Sequence, residues 1–346
     1  MQPEHSSIVS TSLNTVVEKI LGVLIIKSTP ISEGANNQVY DIETKSGRFI
    51  LKHYPATPSD QRDRFHAETK ALQFLNDVRL PCIPRLVGND PDRRVAIMEY
   101  VEGKTLDAIA SHHIQAAIDF TLSLHDASKD KNACEIGTAS EACLSPIEVS
   151  NQIAVRRSKL ESSIAKHKDL GCFLEQKFDP VFVTFHNAAI EKLEVSGINA
   201  QTNLVNDQLT LSPSDFGFHN ALDMKDKVIF LDFEYFGWDD PVRLVSDFLL
   251  HPGHNLSVAQ KELFARVTSE YFSNNDKSFL PRLEALYPLI GLRWCMILLN
   301  EFLPERLARR RAAGARDDAK AIYARQLGKS ETLLTTLLET KRVLPL

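Results

Sequence analysis

The pattern of the chain changes near residue 101. Residues 25–101 contain short apolar or alternating segments separated by turns, which is typical of strands. From Thr105 onward apolar residues recur at helical spacing, which predicts helices near 105–127, 146–178, 179–196, 241–250, 257–274, 279–300 and 315–340. We therefore expect an α+β chain with two lobes, a small antiparallel β lobe followed by a larger helical lobe.

A short β segment interrupts the helical part. Residues 211–222 are rich in Ser, Pro, Asp, Gly and Asn, and residues 227–237 begin as an apolar strand that ends in an acid. Loops held by a rigid scaffold often carry chemistry. We expect a catalytic loop at 211–222 and a metal-binding strand at 227–237. The predicted division of the chain is an N-terminal extension over 1–24, a nucleotide-binding lobe over 25–101 and a helical lobe over 102–346.

Charge and composition favour a small molecule as the binding partner over nucleic acid or a membrane. The chain has 346 residues, 43% of them hydrophobic, and a formal charge of −5, so nothing global attracts it to nucleic acid or to an anionic membrane. No signal peptide is visible at the start, and no apolar stretch reaches the ~20 residues of a membrane span. Five cysteines without a C-x-x-C pair indicate reduced thiols. We expect a cytoplasmic protein; its oligomeric state is not predicted.

The titratable residues are arranged as phosphoryl transfer from ATP requires. That reaction needs a cation on the phosphates, oxygen ligands for Mg²⁺ and a carboxylate near the acceptor hydroxyl. Lys52 lies in an apolar strand, and Glu68 follows sixteen residues later on a predicted helix. Asp215 is placed to accept the hydroxyl proton or orient the hydroxyl. Asn220 and Asp232 supply oxygen ligands for Mg²⁺.

Several motifs resemble the aminoglycoside phosphotransferase and choline kinase family, which has a protein-kinase-like fold. The resemblance extends over about residues 25 to 300. It rests on residues 34–40, Lys52, residues 64–68, residues 98–103, Asp215 with Asn220, and residues 232–241.

The resemblance implies ATP and Mg²⁺ as cofactors and assigns a role to each motif. Lys52 would contact the α and β phosphates and pair with Glu68. Asp215 would be the catalytic base, and Asn220 and Asp232 the magnesium ligands. The remaining nucleotide-binding positions are the phosphate-side turn Gly34, Ala35, Asn36 and Asn37 and the adenine-side segment Met98, Glu99, Tyr100 and Val101.

One departure from the family divides the functional hypotheses. Pro213 and Ser214 stand before Asp215, where the family usually has His-Gly. The first hypothesis is an ATP- and Mg²⁺-dependent kinase that phosphorylates a hydroxyl of a sugar-like or amino-alcohol acceptor. The alternative is a nucleotide-binding pseudokinase without turnover. A protein kinase is a weaker third hypothesis, because no activation segment is evident.

Three features near the end of the chain remain open. Residues 302–325 contain seven basic and three acidic residues, which favours a solvated helix face over a site for an anionic acceptor. His251 and His254 favour a structural role over a metal site. Trp294 borders the acceptor pocket or packs in the core. The absence of a dense acidic run disfavours a polycationic aminoglycoside as acceptor.

Overall fold

The structure is a computed structural model that describes residues 11–33, 37–55, 62–306, 318–339 and 344–346. Its first part is a five-stranded antiparallel sheet with strand order β1-β2-β3-β5-β4. The elements of this part are α1 (Thr11–Leu21), β1 (Ile25–Glu33), β2 (Gln38–Thr44), β3 (Gly47–His53), α2 (Arg64–Asp77), β4 (Leu86–Asp90) and β5 (Val95–Glu99).

Helix α1 covers one face of this sheet. Leu13 and Val17 are buried against Ile42, Leu51 and other apolar residues of the strands. Residues 1–24, expected to form an extension, therefore include a helix that the sequence did not predict. A lone helix of eleven residues has a weak signal by itself, and here it is stabilised by covering the sheet.

Helix α2 lies between β3 and β4 and brings Glu68 to the sheet. Asp63 caps the helix by accepting a hydrogen bond from the backbone N–H of His66 at 3.2 Å. Phe65 packs against Tyr54 at the end of β3, with ring centroids 5.8 Å apart. One turn after Phe65, the Glu68 side chain is 1% exposed.

Eight helices follow in the described part of the chain. They are α3 (Ser111–Ala127), α4 (Ile147–Ile164), α5 (Lys168–Phe173), α6 (Asp179–Val195), α7 (Pro241–Leu250), α8 (Val258–Asn275), α9 (Phe279–Leu298) and α10 (Ala319–Glu339).

Three of the predicted helices need correction. The predicted helix at 105–127 begins only at Ser111, because Thr105 pairs with Leu222 in a small sheet. The predicted helix at 146–178 is interrupted at residues 165–167 and ends in a π turn, Leu174–Phe178. Most of the predicted helix at 315–340 is α10; its residues 315–317 and 340 lie outside the described residues.

Helix α9 forms the centre of the helical core. Phe279–Phe302 is long and apolar enough to cross a membrane, but 72% of its most apolar window is buried inside the protein. Pro288 lies within this helix, and Leu289, Ile290 and Leu292 are almost fully buried. The burial identifies α9 as the central helix of a packed core.

Two small sheets hold the loops that matter for function. One contains β6 (Lys104–Thr105), β8 (Ala221–Asp223) and β9 (Val228–Phe230), and the other contains β7 (Thr210–Ser212) and β10 (Gly237–Asp239). The catalytic loop thus runs between β7 and β8. The predicted strand at 227–237 is shorter than expected, since β9 ends at Phe230. These sheets and the helices around them confirm the predicted α+β class.

Candidate active site

Lys52, Glu68 and Asp232 form a charged cluster between the five-stranded sheet and the helical part. Lys52 Nζ lies 2.6 Å from Glu68 Oε2 and 2.6 Å from Asp232 Oδ1. Lys52 is 6% exposed and Glu68 is 1% exposed. A strand, a helix and the turn after β9 each supply one member. The cluster therefore connects segments as far as 180 residues apart in sequence.

Neighbouring groups hold the charges of this cluster in place. Tyr54 donates its hydroxyl proton to Glu68 Oε2 at 2.5 Å, and the backbone N–H of Phe233 donates to Glu68 Oε1 at 3.2 Å. Burial alone would lower the pKa of Lys52, but the charges of Glu68 and Asp232 outweigh it and raise that pKa above its usual value. Lys52 thus remains a cation at every physiological pH.

Glu234 links the turn after β9 to the loop between β1 and β2. Asn37 Nδ2 donates to Glu234 Oε2 at 2.8 Å, and Arg64 Nε lies 3.7 Å from Glu234 Oε1. Of the four predicted residues of that loop, only Asn37 is described; Gly34, Ala35 and Asn36 lie outside the described residues. Glu234 is 4% exposed. The sequence analysis gave it no role of its own.

The segment Met98, Glu99, Tyr100 and Val101 leaves the sheet beside the Lys52 strand. Met98 pairs with Ile50, two residues before Lys52, in the β3–β5 register. The Arg48 guanidinium lies 3.7 Å from the centroid of the Tyr100 ring, and Val101 accepts a hydrogen bond from the backbone of Gly103. The segment is thus the connection from the sheet to the helical part.

Ser214, immediately before Asp215, adopts a left-handed conformation with φ of 68°. A non-glycine residue in this region is strained, and such strain requires support from its surroundings. The Ser214 hydroxyl provides that support, because it donates to the Ser140 carbonyl at 3.0 Å and accepts from Arg243 at 2.8 Å. Ser214 is therefore held in a left-handed conformation at the position where the resembled family usually has glycine.

Asp215 is held by two histidines that the sequence motifs did not assign to it. Asp215 Oδ1 lies 3.3 Å from His219 Nε2 and 3.2 Å from His251 Nε2, and the two rings stack with centroids 4.1 Å apart. Burial would raise the pKa of Asp215, but the hydrogen bonds from His219 and His251 hold it well below its usual value. His251 reaches this position because it directly follows the last residue of α7.

Asn220 and Asp232 lie near Asp215 and Lys52, respectively. The Asn220 amide donates to the Asp215 carbonyl at 3.1 Å, and the Asn220 carbonyl accepts from the backbone of Leu231 at 2.8 Å. Asp232 directly follows Leu231 and has a positive φ of 66°. A carboxylate and an amide oxygen are ligands that Mg²⁺ prefers. The donor set present therefore fits a magnesium ion.

A buried ion network behind the catalytic loop was missed in the sequence. Arg243 is 3% exposed and contacts Asp239, Asp247 Oδ2 at 3.1 Å and the Glu141 carbonyl at 2.8 Å. Trp294 Nε1 donates to Asp247 Oδ1 at 2.9 Å. Asp239, Arg243 and Asp247 are spaced four residues apart across the start of the helix predicted at 241–250, and this spacing was the available signal.

Residues 128–145 also form part of this region, although their sequence has no clear period. Thr138 pairs with Trp238 as an isolated parallel bridge. A Cβ on Gly237 would lie 2.4 Å from the backbone of Ala139, so only glycine fits where this segment crosses β10. The crossing brings Glu141 to the catalytic loop. The segment is thus packed into the fold.

A cavity of about 580 Å³ opens beside Asp215. His219, His251 and Trp294 line it together with residues of α4 and α9. Trp294 is 7% exposed, so it both borders this cavity and belongs to the core. His251 contacts Asp215 of the predicted catalytic loop. Neither the structural nor the metal-site interpretation of residues 251–254 predicted this contact.

An antiparallel sheet carrying a buried Lys–Glu pair, followed by a helical part carrying Asp215 and Asp232, defines a protein-kinase-like fold. Solved structures agree. A choline kinase from Cryptosporidium parvum Iowa II has a TM-score of 0.55 at 13% identity, over 92% of this chain and 91% of that one. An ADP-bound aminoglycoside phosphotransferase has a TM-score of 0.57 at 13% identity, over 95% and 99% of the two chains.

A spectinomycin phosphotransferase in complex with ADP and spectinomycin has a TM-score of 0.57 at 12% identity, over 95% of this chain and 99% of that one. At these identities the likeness shows the fold alone. The sequence profile of the Phosphotransferase enzyme family matches residues 27–251. The chain belongs to this family. No curated protein sequence matches it significantly.

Proposed function

We propose that this protein is an ATP- and Mg²⁺-dependent kinase that phosphorylates a hydroxyl group of a small molecule. One observation carries the proposal. The Lys52–Glu68–Asp232 cluster is linked to Asp215 through Asn220, whose side-chain amide donates to the Asp215 carbonyl and whose backbone carbonyl accepts from Leu231, the residue before Asp232. Phosphoryl transfer depends mainly on positioning and charge stabilisation, which such an arrangement supplies.

Lys52 would bind the phosphates of ATP. Its ammonium group is charged and is held between two carboxylates, so it is oriented before the nucleotide arrives. We assign the turn Gly34, Ala35, Asn36 and Asn37 to the phosphates and the segment 98–101 to the adenine. The solved structures of two similar phosphotransferases contain ADP, which supports a nucleotide at this place.

Asn220 and Asp232 would hold Mg²⁺. When bound there, the ion supplies positive charge to the phosphate oxygens. The left-handed backbone at Asp232 turns its carboxylate toward Lys52 Nζ at 2.6 Å. The proposal requires that Asp232 share its carboxylate between Lys52 and the ion.

Asp215 would orient the acceptor hydroxyl and take up its proton. His219 and His251 keep the carboxylate ionised by lowering its pKa, and they fix its direction. A weakly basic carboxylate suits a loose transition state, in which little proton transfer is needed before the phosphoryl group moves. These two histidines therefore compensate for Pro213 at the usual histidine position.

The second candidate, a pseudokinase that binds nucleotide without turnover, rests on that same Pro213. The support given to Asp215 by two histidines and to Ser214 by Arg243 favours turnover instead. We propose a cytoplasmic location for either form, since among the described residues the one helix with the composition of a membrane span is packed in the core.

ADP release tests the proposal. Purified protein is incubated with Mg²⁺ and ATP against sugars, nucleosides, hydroxy acids, sugar phosphates, amino alcohols and aminoglycosides. We expect acceptor-dependent turnover that falls by about 10²–10⁴-fold in Asp215→Asn. Asp92→Asn, the same change on an exposed turn, should leave the rate unchanged. Nucleotide binding with no turnover on any acceptor would favour the pseudokinase.

A further inference from the structure

The cavity beside Asp215 has an unusual charge for a chain with net charge −5. Its acidic lining residues are Glu141, Asp215 and Glu305. Twice as many basic residues line it, namely Arg62, Arg156, Lys159, Arg243, Arg293 and Arg306. This excess of cations is local, because the whole chain carries 45 acidic and 40 basic residues.

Internal ion pairs neutralise only part of this charge. Arg243 is satisfied by Asp239 and Asp247, which lie behind the cavity wall. Arg293 NH2 lies 3.2 Å from Glu141 Oε2 and its NH1 lies 3.4 Å from Asp247 Oδ1, and Arg156 contacts the same oxygen of Glu141. Glu141 thus serves two guanidinium groups at once.

Positive charges are crowded around Arg156. Burial and the nearby charges of Arg293 and Arg243 lower the pKa of Arg156, although Glu141 opposes them. Burial also lowers the pKa of His251, so this histidine adds little positive charge of its own. The wall formed by α4 and α9 therefore has more cations than carboxylates to neutralise them.

Two cations of the cavity are available to a ligand. Within the described part of the chain, Lys159 and Arg306 form no ion pair. Lys159 lies three residues after Arg156, on the same face of α4. Arg306 approaches from the segment after α9, so the two cations come from separate elements of the wall.

We propose that the acceptor is an alcohol that also carries an anionic group, a carboxylate or a phosphate, which Lys159, Arg306 and Arg156 bind while the hydroxyl lies at Asp215. This inference rests on the proposed kinase function. Guanidinium and ammonium groups around a partly enclosed cavity attract such anions and repel cations. Choline and the aminoglycosides, the substrates named for similar structures, carry positive charge and do not suit this lining.

The reaction is balanced with ATP as the only co-reactant. The acceptor hydroxyl oxygen forms a bond to the γ phosphorus, and the bond from that phosphorus to the β,γ-bridging oxygen breaks. ADP leaves with the electron pair. The hydroxyl proton passes to Asp215 and then to solvent. The product carries its new phosphate in addition to the original anionic group.

The test compares acceptors that share one skeleton and differ in charge: glucose, glucosamine, glucuronate and glucose 6-phosphate, and likewise glycerol, serinol, glycerate and glycerol phosphate. ADP release gives turnover, and the melting temperature of the Mg²⁺–ADP-loaded protein gives binding. The variants are Lys159→Glu and Arg306→Glu. Lys166→Glu is the control, because Lys166 is exposed and outside the cavity.

We expect the anionic acceptors of each series to raise the melting temperature or to be phosphorylated. Comparison of the carboxylate with the phosphate in each series shows which anion is preferred. Lys159→Glu and Arg306→Glu should each weaken that response at least tenfold, through KM or Kd rather than kcat, while Lys166→Glu leaves it unchanged. Preference for a neutral or amine member, or no response to any anion, would overturn the inference. Anion binding without turnover would retain the inference and contradict only the kinase function.

Discussion

The surroundings of Lys52, here called the nucleotide side, and the cavity beside Asp215, here called the acceptor side, differ in charge. On the nucleotide side, Lys52 is the cation among Glu68, Asp232 and Glu234, whose ligand oxygens lie within 4.8 Å of one another. On the acceptor side, cations outnumber carboxylates around the 580 Å³ cavity. The acidic side suits a metal ion and the basic side suits an anion.

We infer from this difference that the nucleotide side serves the phosphoryl transfer and that the acceptor side selects the substrate. In the proposed function the nucleotide side would bind ATP whatever the acceptor is, and its residues were recognisable from short motifs in the sequence. The acceptor side is assembled from α4, α9 and residues 140–141, which no short motif describes. The charge of its wall is therefore better evidence about the acceptor than the family resemblance is.

Replacing Lys52 should have the largest effect. Lys52→Met leaves Glu68 buried without its cation, and we expect a loss of about 3–5 kcal/mol in the free energy of unfolding together with the loss of turnover. Adding Glu68→Gln removes the unpaired charge, so the double variant should regain most of its stability but no activity. Chemical denaturation and ADP release measure the two effects. Normal turnover in Lys52→Met would contradict the proposed nucleotide site.

Replacing Arg243 tests the support behind the acceptor side. Arg243→Met leaves Asp239 and Asp247 buried without their main cation, and we expect a loss of about 3–5 kcal/mol in unfolding free energy and a lower kcat. Arg282→Met is the matched control, since Arg282 is fully buried and pairs with Asp240 and Asp276 away from the catalytic loop. Equal kcat values in the two variants would show that Arg243 does not position the loop.

The fold was largely predictable because most of its elements have local signals. Lys45 and Ser46, residue types common in turns, join β2 and β3 in a tight hairpin, with Thr44 opposite Gly47. Helix α7 begins at Pro241 after the cap Asp240, an arrangement visible in the sequence. Helix α1 was missed because its stability comes from the sheet beneath it, and the break after Ile164 has no glycine or proline to mark it.

Only the site residues that belong to a recognisable sequence motif could be predicted. Lys52, Glu68, Asp215 and Asp232 were chosen from such motifs, and Lys52 contacts both Glu68 and Asp232 in the structure. The contact of Asp215 with His251 depends on how α7 lies against the loop, 36 residues away in sequence. Glu141 lies in a segment without a period, so nothing local indicated its place in the cavity wall.

The two histidines at Asp215 allow a finer test of the acceptor side. His251 has a side chain 9% exposed and His219 one 26% exposed, so His251 should restrain Asp215 more strongly. We expect His251→Asn to lower kcat by about 10²-fold with little change in the KM for ATP, and His219→Asn to have a smaller effect. Steady-state kinetics at saturating acceptor measure both. A larger effect of His219→Asn would reverse the assignment.

Acid should destabilise the acceptor side. Burial lowers the pKa of His254 to about 3, with smaller contributions from His251, His219 and Lys261. Its Nε2–H donates to the Phe248 carbonyl at 2.7 Å, and its buried Nδ1 has no partner among the described residues, so a second proton is disfavoured. The unfolded chain takes up that proton below about pH 6.5 and the folded chain does not. Stability is therefore complete above pH 6.5 and declines as the pH falls toward 3.

At pH 5 this loss amounts to about 2 kcal/mol from His254 alone. Lys52 contributes no such dependence, because its pKa is raised and it stays charged throughout this range. Melting curves of the wild type and of His254→Phe between pH 7.5 and pH 5 measure the difference. The variant should lose less stability than the wild type on acidification, and parallel curves would mean that the acid sensitivity does not come from His254.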